Sequence, residues 1–225
     1  VPTNNLIVMP LKPARDQYAT YIDAYRRAEL LGKRIITVVT DGQDHRASEK
    51  QTMDYLKDKG AYFSSTSDTE TILHLIAKSS QTTLLDAIKE ALRQIEGSYS
   101  LVFLTKDSVI AARDPYGYRP LEIGVTKDEG YVFASETCAF FPCGASHIGE
   151  VKPGEIVVAS NNGLSSYKFT DTSEICHTCV FEHVYLARPD SVISGRSVEL
   201  SREAAGALLA KDETLTGEYI VVGVP

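Results

Sequence analysis

Cysteine is scarce in this chain and sits to one side. The four residues, Cys138, Cys143, Cys176 and Cys179, all fall in the second half of 225. So few and so clustered, they do not form a disulfide framework, and a reducing cytoplasm is the expected location. Long apolar runs are also missing. The stretch nearest the start, Leu6 to Met9, is broken by Pro10. It is far short of a membrane span, and it lacks the basic lead and cleavage site of a secretion signal. Positive charge is in deficit, with a formal net charge of -7. That argues against a nucleic-acid partner, because phosphate binding needs a basic patch. No internal repeat or low-complexity tract is present. The remaining composition, 43% hydrophobic and 24% charged, is that of an ordinary globular protein with a length suited to one or two domains.

Residues 1–46 read as a strand, a helix and a strand. Leu6 to Met9 is a short apolar strand, Ala14 to Leu31 carries Tyr18, Tyr21, Ile22, Tyr25 and Ala28 at helical spacing, and Arg34 to Val39 is β-branched. This order predicts a βαβ-like unit with the two strands parallel. Thr40-Asp41-Gly42 follows the second strand; Asp41 either makes the turn or faces a metal or hydroxyl partner there.

From residue 47 the pattern changes to helices in a block and then strands in a block, which predicts an α+β layered fold. Met53, Tyr55 and Leu56 suggest a helix stopped at Gly60, followed by a short strand at Ala61 to Phe63. Ser67 and Glu70 have capping-box spacing, which places Asp68 in the first turn of the next helix. Thr83 to Ile95 sets Leu84, Leu85, Ile88, Ala91, Leu92 and Ile95 on one helical face. Strands are expected at Tyr99 to Leu104, Ser108 to Ala112, Leu121 to Val125 and Tyr131 to Ala134, with a brief helix after Ser135. A hairpin of Glu155 to Ala159 with Leu164 to Lys168 is turned by Asn161-Asn162-Gly163. Later, the apolar run Val180 to Ala187 ends at Pro189 and reads as a strand passing into a linker. Ser197 to Lys211 is a helix pattern, and Tyr219 to Val224 a buried-strand pattern.

Four motifs in order carry a family likeness. They are Thr66-Ser-Asp-Thr-Glu70, Ala112-Arg-Asp-Pro-Tyr-Gly-Tyr-Arg-Pro-Leu121, Ala134-Ser-Glu-Thr-Cys-Ala139 and Phe181-Glu-His-Val-Tyr-Leu-Ala-Arg-Pro-Asp-Ser191. From about Ser48 to Pro225 the chain resembles the amidophosphoribosyltransferase family of purine synthesis. The Arg-Asp-Pro-x-Gly loop also resembles that of asparagine synthetase; the Ala-Arg-Pro-Asp-Ser segment favours the first family.

The resemblance implies an N-terminal-nucleophile αββα four-layer sandwich, here incomplete. Residues 1–46 stand outside it, 47–187 form a partial class II glutamine amidotransferase domain, and 188–225 are a linker and the start of a phosphoribosyltransferase domain. It also implies an enzyme in which an N-terminal Cys attacks the glutamine amide, with its own α-amino group as base. An Asn side chain and a Gly amide would form the oxyanion hole. Residue 1 is Val, and no His-Asn-Gly segment precedes residue 49. The polypeptide by itself is therefore expected to be inactive in both half-reactions.

One family role maps directly. Asp68 matches the carboxylate that holds the glutamine ammonium; from the residues alone the favoured reading is a first-turn Asp that complements the helix dipole. Tyr185 falls where the ammonia route between the half-sites is implied. Cys179 falls where some family branches ligate a [4Fe–4S] cluster, and its other reading is an ordinary thiol. Magnesium would accompany phosphoribosyl pyrophosphate. The expected partners are small-molecule substrates and further copies of the chain, with no nucleic acid and no membrane. Asp114 is expected to accept backbone hydrogen bonds across its turn, and Arg119 to pair with Asp114 or Glu136. Cys138 and Cys143 are expected to be buried small hydrophobes. Two rivals are another class II amidotransferase, such as asparagine synthetase, and a non-catalytic binding protein on a decayed glutaminase scaffold.

Overall fold

Alternation of apolar side chains along three strands builds the middle of the molecule. The structure, a computed structural model, describes residues 6–11, 34–40, 48–63, 67, 69–171, 176–214, 217, 218, 220 and 222. A six-stranded sheet joins β1 (Leu6–Leu11), β2 (Arg34–Thr40), β3 (Ser100–Leu104), β4 (Ser108–Arg113), β8 (Glu155–Ser160) and β9 (Gly163–Lys168) in that order. A second sheet sets β5 (Glu122–Thr126) between β6 (Tyr131–Ala134) and β7 (Ala145–Glu150).

The two faces of the large sheet divide by residue parity. Leu101, Phe103, Ile110, Ala112 and Ile156 point to one side. There they meet the helices α1 (Ser48–Asp58), α2 (Thr69–Lys78) and α3 (Leu84–Leu92), through Leu56, Ile72, Leu73, Ile76, Ile88 and Leu92. Ala111 and Val157, the alternate residues, turn to the other side and pack with Leu121, Ile123 and Val151 of the second-sheet region. A period of two along a strand requires this division. Among the described residues this gives helices on sheet on sheet, in the α+β class expected from the sequence. Burying each large apolar side chain contributes roughly 1.5–3 kcal/mol, and this core anchors everything described below.

Several elements match the sequence reading. Thr83 caps α3 by accepting a hydrogen bond from the Asp86 amide at 3.1 Å. The β8–β9 hairpin closes over Asn161-Asn162, with Gly163 at φ +95°, a backbone conformation open to glycine. β1 and β2 are parallel, as the βαβ pattern requires. The helix expected between them, and Asp41 after them, lie outside the described residues. β2 also pairs antiparallel with β3, from Thr37 opposite Leu104 to Thr40 opposite Leu101.

Other expectations are corrected. Residues Ala61 to Phe63 form no strand; Phe63 instead packs partly buried on the helical core and lies 4.5 Å from the His74 ring. β7 went unread because Ala-Ser-His-Ile-Gly-Glu is polar and mostly exposed. Cys143 is exposed and Cys138 only half-buried, since residues 137–144 are a succession of tight surface turns. The apolar run at 181–187 is not a strand. Glu182–Leu186 forms a single π-helical turn, closed by the Ala187 amide on the Glu182 carbonyl at 2.9 Å. After it come a small ladder of β10 (Val192–Ile193) with β11 (Arg196–Ser197) and the helix α4 (Val198–Asp212). The strand pattern at 219–224 falls largely outside the described residues; Ile220 and Val222 are exposed and belong to no strand.

Candidate functional site

Three of the four motifs, far apart in sequence, fold against one another at the end of β4. The first is the loop after Arg113. Asp114 is fully buried, and its carboxylate accepts from the amides of Tyr116 (2.9 Å), Tyr118 (3.2 Å) and Tyr99 (3.4 Å). The expected role of Asp114 as the acceptor that ties its turn is what the geometry shows. Burial pushes its carboxyl above the usual range, and the amides of Tyr116, Tyr99 and Gly117 hold it partly down. The same burial, together with the Asp114 charge, raises the Tyr99 phenol. Gly117 at φ +64° has no room for a side chain: a Cβ would lie 2.7 Å from Pro153 and 2.9 Å from the Cys176 sulfur.

Arg113 is the largest side chain with no exposure at all. Its Nε donates to the Arg119 carbonyl at 2.7 Å. Nη1 donates to the Val151 carbonyl at 2.9 Å and the Glu150 carboxylate at 3.2 Å, and Nη2 to the Gly117 carbonyl at 3.1 Å. A planar fork with five donors is suited to this, because a buried cation is tolerated only when its hydrogens are satisfied. Sequence reading passed over Arg113; its place beside Asp-Pro-x-Gly was the available signal.

The second motif supplies Glu136 and Thr137. The Glu136 Oε2 accepts from the Arg188 amide at 2.8 Å and from the Ser191 hydroxyl at 2.7 Å. The Thr137 hydroxyl accepts from the Val192 amide at 2.9 Å. The third motif supplies Glu182, which is buried and paired with the Arg119 guanidinium. Arg119 therefore pairs with neither Asp114 nor Glu136. Asp114 is occupied by backbone amides, Glu136 by residues 188–192, and Glu182 is brought within reach only by the π-helical turn.

The segment 176–179 crosses the same loop. The His177 amide donates to the Tyr116 carbonyl at 2.8 Å, and the Cys179 amide to the Tyr118 carbonyl at 3.2 Å. The Cys176 sulfur is taken up by the Gly117 carbonyl at 3.3 Å and by Arg113 Nη2 at 3.6 Å. Among the described residues no three His, Cys, Asp or Glu side chains are placed to hold a metal. Cys179 is a half-buried free thiol. Tyr185 projects from the π-helical turn with 78% of its surface exposed. Asp68 lies outside the described residues. The described helix α2 begins at Thr69, and the Glu70 amide bonds the Ser67 carbonyl at 3.2 Å.

A second cluster was invisible to the sequence reading. Glu122 and Glu150 stand directly opposite across β5 and β7. Glu122 is buried, and its Oε2 meets His147 Nε2 at 2.7 Å, while its other oxygen has no partner among the described residues. Burial raises the Glu122 carboxyl; the His147 contact lowers it and the Glu150 charge raises it further.

Comparison with known proteins puts this arrangement in context. Residues 34–142 match the glutamine amidotransferase domain family. A chloroplastic amidophosphoribosyltransferase of Vigna aconitifolia is 44% identical over 170 residues, which are 76% of this chain and 34% of that protein. The amidophosphoribosyltransferase of Staphylococcus aureus strain MRSA252 is 41% identical over 170 residues, again 76% and 34%. The chain thus spans about a third of the length of the curated relatives it matches. A solved structure described as the allosteric regulatory enzyme of purine biosynthesis superimposes with a TM-score of 0.75 at 36% identity, over 80% of this chain and 38% of that one. The glutamine phosphoribosylpyrophosphate amidotransferase from B. subtilis, complexed with ADP and GMP, gives 0.71 at 39% identity, over 74% and 36%.

Proposed function

We propose, for a chain whose residues 34–142 belong to the glutamine amidotransferase domain family, that it works within an amidophosphoribosyltransferase. The reaction is glutamine plus phosphoribosyl pyrophosphate plus water, giving 5-phosphoribosylamine, pyrophosphate and glutamate. The observation that carries this reading is the mutual packing of the Arg-Asp-Pro loop, the Ser-Glu-Thr turn and the Phe-Glu linker through Arg119–Glu182 and Glu136–Ser191. Identity of 41–44% to named amidophosphoribosyltransferases covers 76% of the chain.

Within this reading Asp68 holds the ammonium of glutamine at the start of α2, where the helix dipole favours an ionised carboxylate. Tyr185 faces the route by which ammonia leaves. Magnesium accompanies phosphoribosyl pyrophosphate in the second half-reaction. Four free cysteines agree with a reducing compartment.

The test is stoichiometry, made on the protein as its natural source produces it. Supplied with glutamine, magnesium and phosphoribosyl pyrophosphate, it should release glutamate and pyrophosphate in equal amounts. Glutamate release that phosphoribosyl pyrophosphate neither stimulates nor matches with pyrophosphate would point to another amidotransferase. Glutamine binding without turnover would point to a binding protein.

A further inference from the structure

The segment joining the glutaminase layers to α4 is held by polar contacts at every step. On its near side Glu182 is buried against Arg119, the Arg188 amide and Ser191 hydroxyl share Glu136 Oε2, and the Val192 amide rests on Thr137. On its far side Arg202 of α4 reaches back, with Nε on the His183 carbonyl and Nη2 on the Ala187 carbonyl, both at 2.7 Å. The Val198 amide bonds the Ser191 carbonyl at 3.0 Å, and the Glu199 amide the Pro189 carbonyl at 3.1 Å. Ala187, Ile193 and Val198 form a small buried cluster beneath these bonds. A flexible tether has none of these features: its backbone is solvated and its side chains are free.

We propose that Arg119 and Glu136 are positioning residues that clamp residues 182–192 onto the glutaminase face, so that the linker acts as a rigid coupling and fixes the direction in which α4 leaves. This rests on the amidotransferase reading for its purpose. Ammonia is small, neutral and soluble, so it reaches a second site without escaping only if the two sites keep a fixed relation. The clamp contains the means to set that relation. A carboxylate at the start of the short 3-10 helix 137–139 and a guanidinium on a loop grip two points of the linker, and Arg202 grips it from the next helix. Arg119 matters most, because it is the cation that meets the buried Glu182, and an ion pair deprived of one member leaves the other charge stranded. The exposed faces of Val184 and Tyr185 then project from a turn that cannot swivel.

The structural half of the test uses this chain and needs no activity. Amide hydrogen exchange is read at Ala187, Arg188 and Val192, with the paired sheet amides of Ala111 and Val157 as internal reference. Arg119→Ala should speed exchange at Ala187 and Arg188 by about tenfold or more while the sheet amides stay within about twofold. Arg119→Lys, or the swap of Arg119→Glu with Glu182→Arg, should restore much of the protection. Unchanged linker exchange in Arg119→Ala overturns the clamp. So does acceleration of the sheet amides by the same factor, or failure of both restoring variants.

The functional half uses the natural protein. Arg119→Ala should leave the KM for glutamine unchanged, and the ratio of phosphoribosylamine formed to glutamate released should fall below that of the parent. An unchanged ratio overturns the coupling role even if the linker loosens. Were the parent itself to show no such reaction, the proposed function would fall while the exchange result on the clamp stood.

Discussion

Replacing Arg113 with methionine should be among the most damaging single changes in this protein. Methionine keeps most of the aliphatic volume and removes every donor. Three backbone carbonyls, at 2.7, 2.9 and 3.1 Å from the guanidinium, would lose this donor at a site with no exposure, although the Gly117 carbonyl keeps the Cys176 thiol and the Arg119 carbonyl a 3.4 Å contact from Ser100 Oγ. A buried acceptor left unpaired costs about 1–3 kcal/mol, so three cost at most about 3–9 kcal/mol. The guanidinium's own desolvation cost disappears with it, so the lower part of the summed range applies, about 3–5 kcal/mol. Against a typical total stability of about 5–15 kcal/mol, that moves the melting temperature by roughly 6–20 °C in a chain of this size. Urea unfolding followed by the fluorescence of the 12 tyrosines provides the measurement, as the sequence has no tryptophan. Glu150→Gln is the control. The Glu150 side chain is 38% exposed, so losing its charge should cost no more than about 1 kcal/mol. The reasoning fails if Arg113→Met stays within about 1 kcal/mol of the parent, or if Glu150→Gln costs as much as Arg113→Met.

Three further outcomes follow from the same structure. Gly124→Ala should lower stability by about 1–3 kcal/mol, because its Cβ would lie 2.8 Å from the Phe140 ring; a thermal melt that does not shift would contradict this packing. Glu122 binds its proton more tightly folded than unfolded, so its contribution is complete below the ordinary carboxylate value and is lost as pH rises through the raised folded value. Urea midpoints should therefore fall less steeply with rising pH in Glu122→Gln than in the parent, and identical slopes would remove this account. Asp68→Ala should abolish glutamine binding, read by calorimetry on the natural protein, while its unfolding free energy from urea changes by less than about 1 kcal/mol; retained affinity would dismiss the ammonium-binding role.

The layers were largely legible in the sequence, because period two in β3, β4 and β8 and period 3.6 in α2 and α3 are local properties of the chain. The β8–β9 hairpin was written in Asn-Asn-Gly, and the turn-tying role of Asp114 in the Pro and Gly that follow it. The motifs also carried the likeness to the amidophosphoribosyltransferases reported above. Only the tertiary structure decided which motif touches which. Arg119 had two nearer carboxylates in sequence, yet it pairs with Glu182, 63 positions away, because the backbone amides and residues 188–192 had taken the others. The π-helical turn at 182–186 could not be read from an apolar run, since its conformation depends on a buried ion pair and on Arg202 from the following helix. Glu122 and Glu150 meet only through the register of β5 and β7, and β7 is too polar to announce itself as a strand. Periodicity and turn chemistry act over a few residues and can be read from the chain. Pairing of charges depends on what else has already been satisfied, and that is settled only when the whole fold is in place.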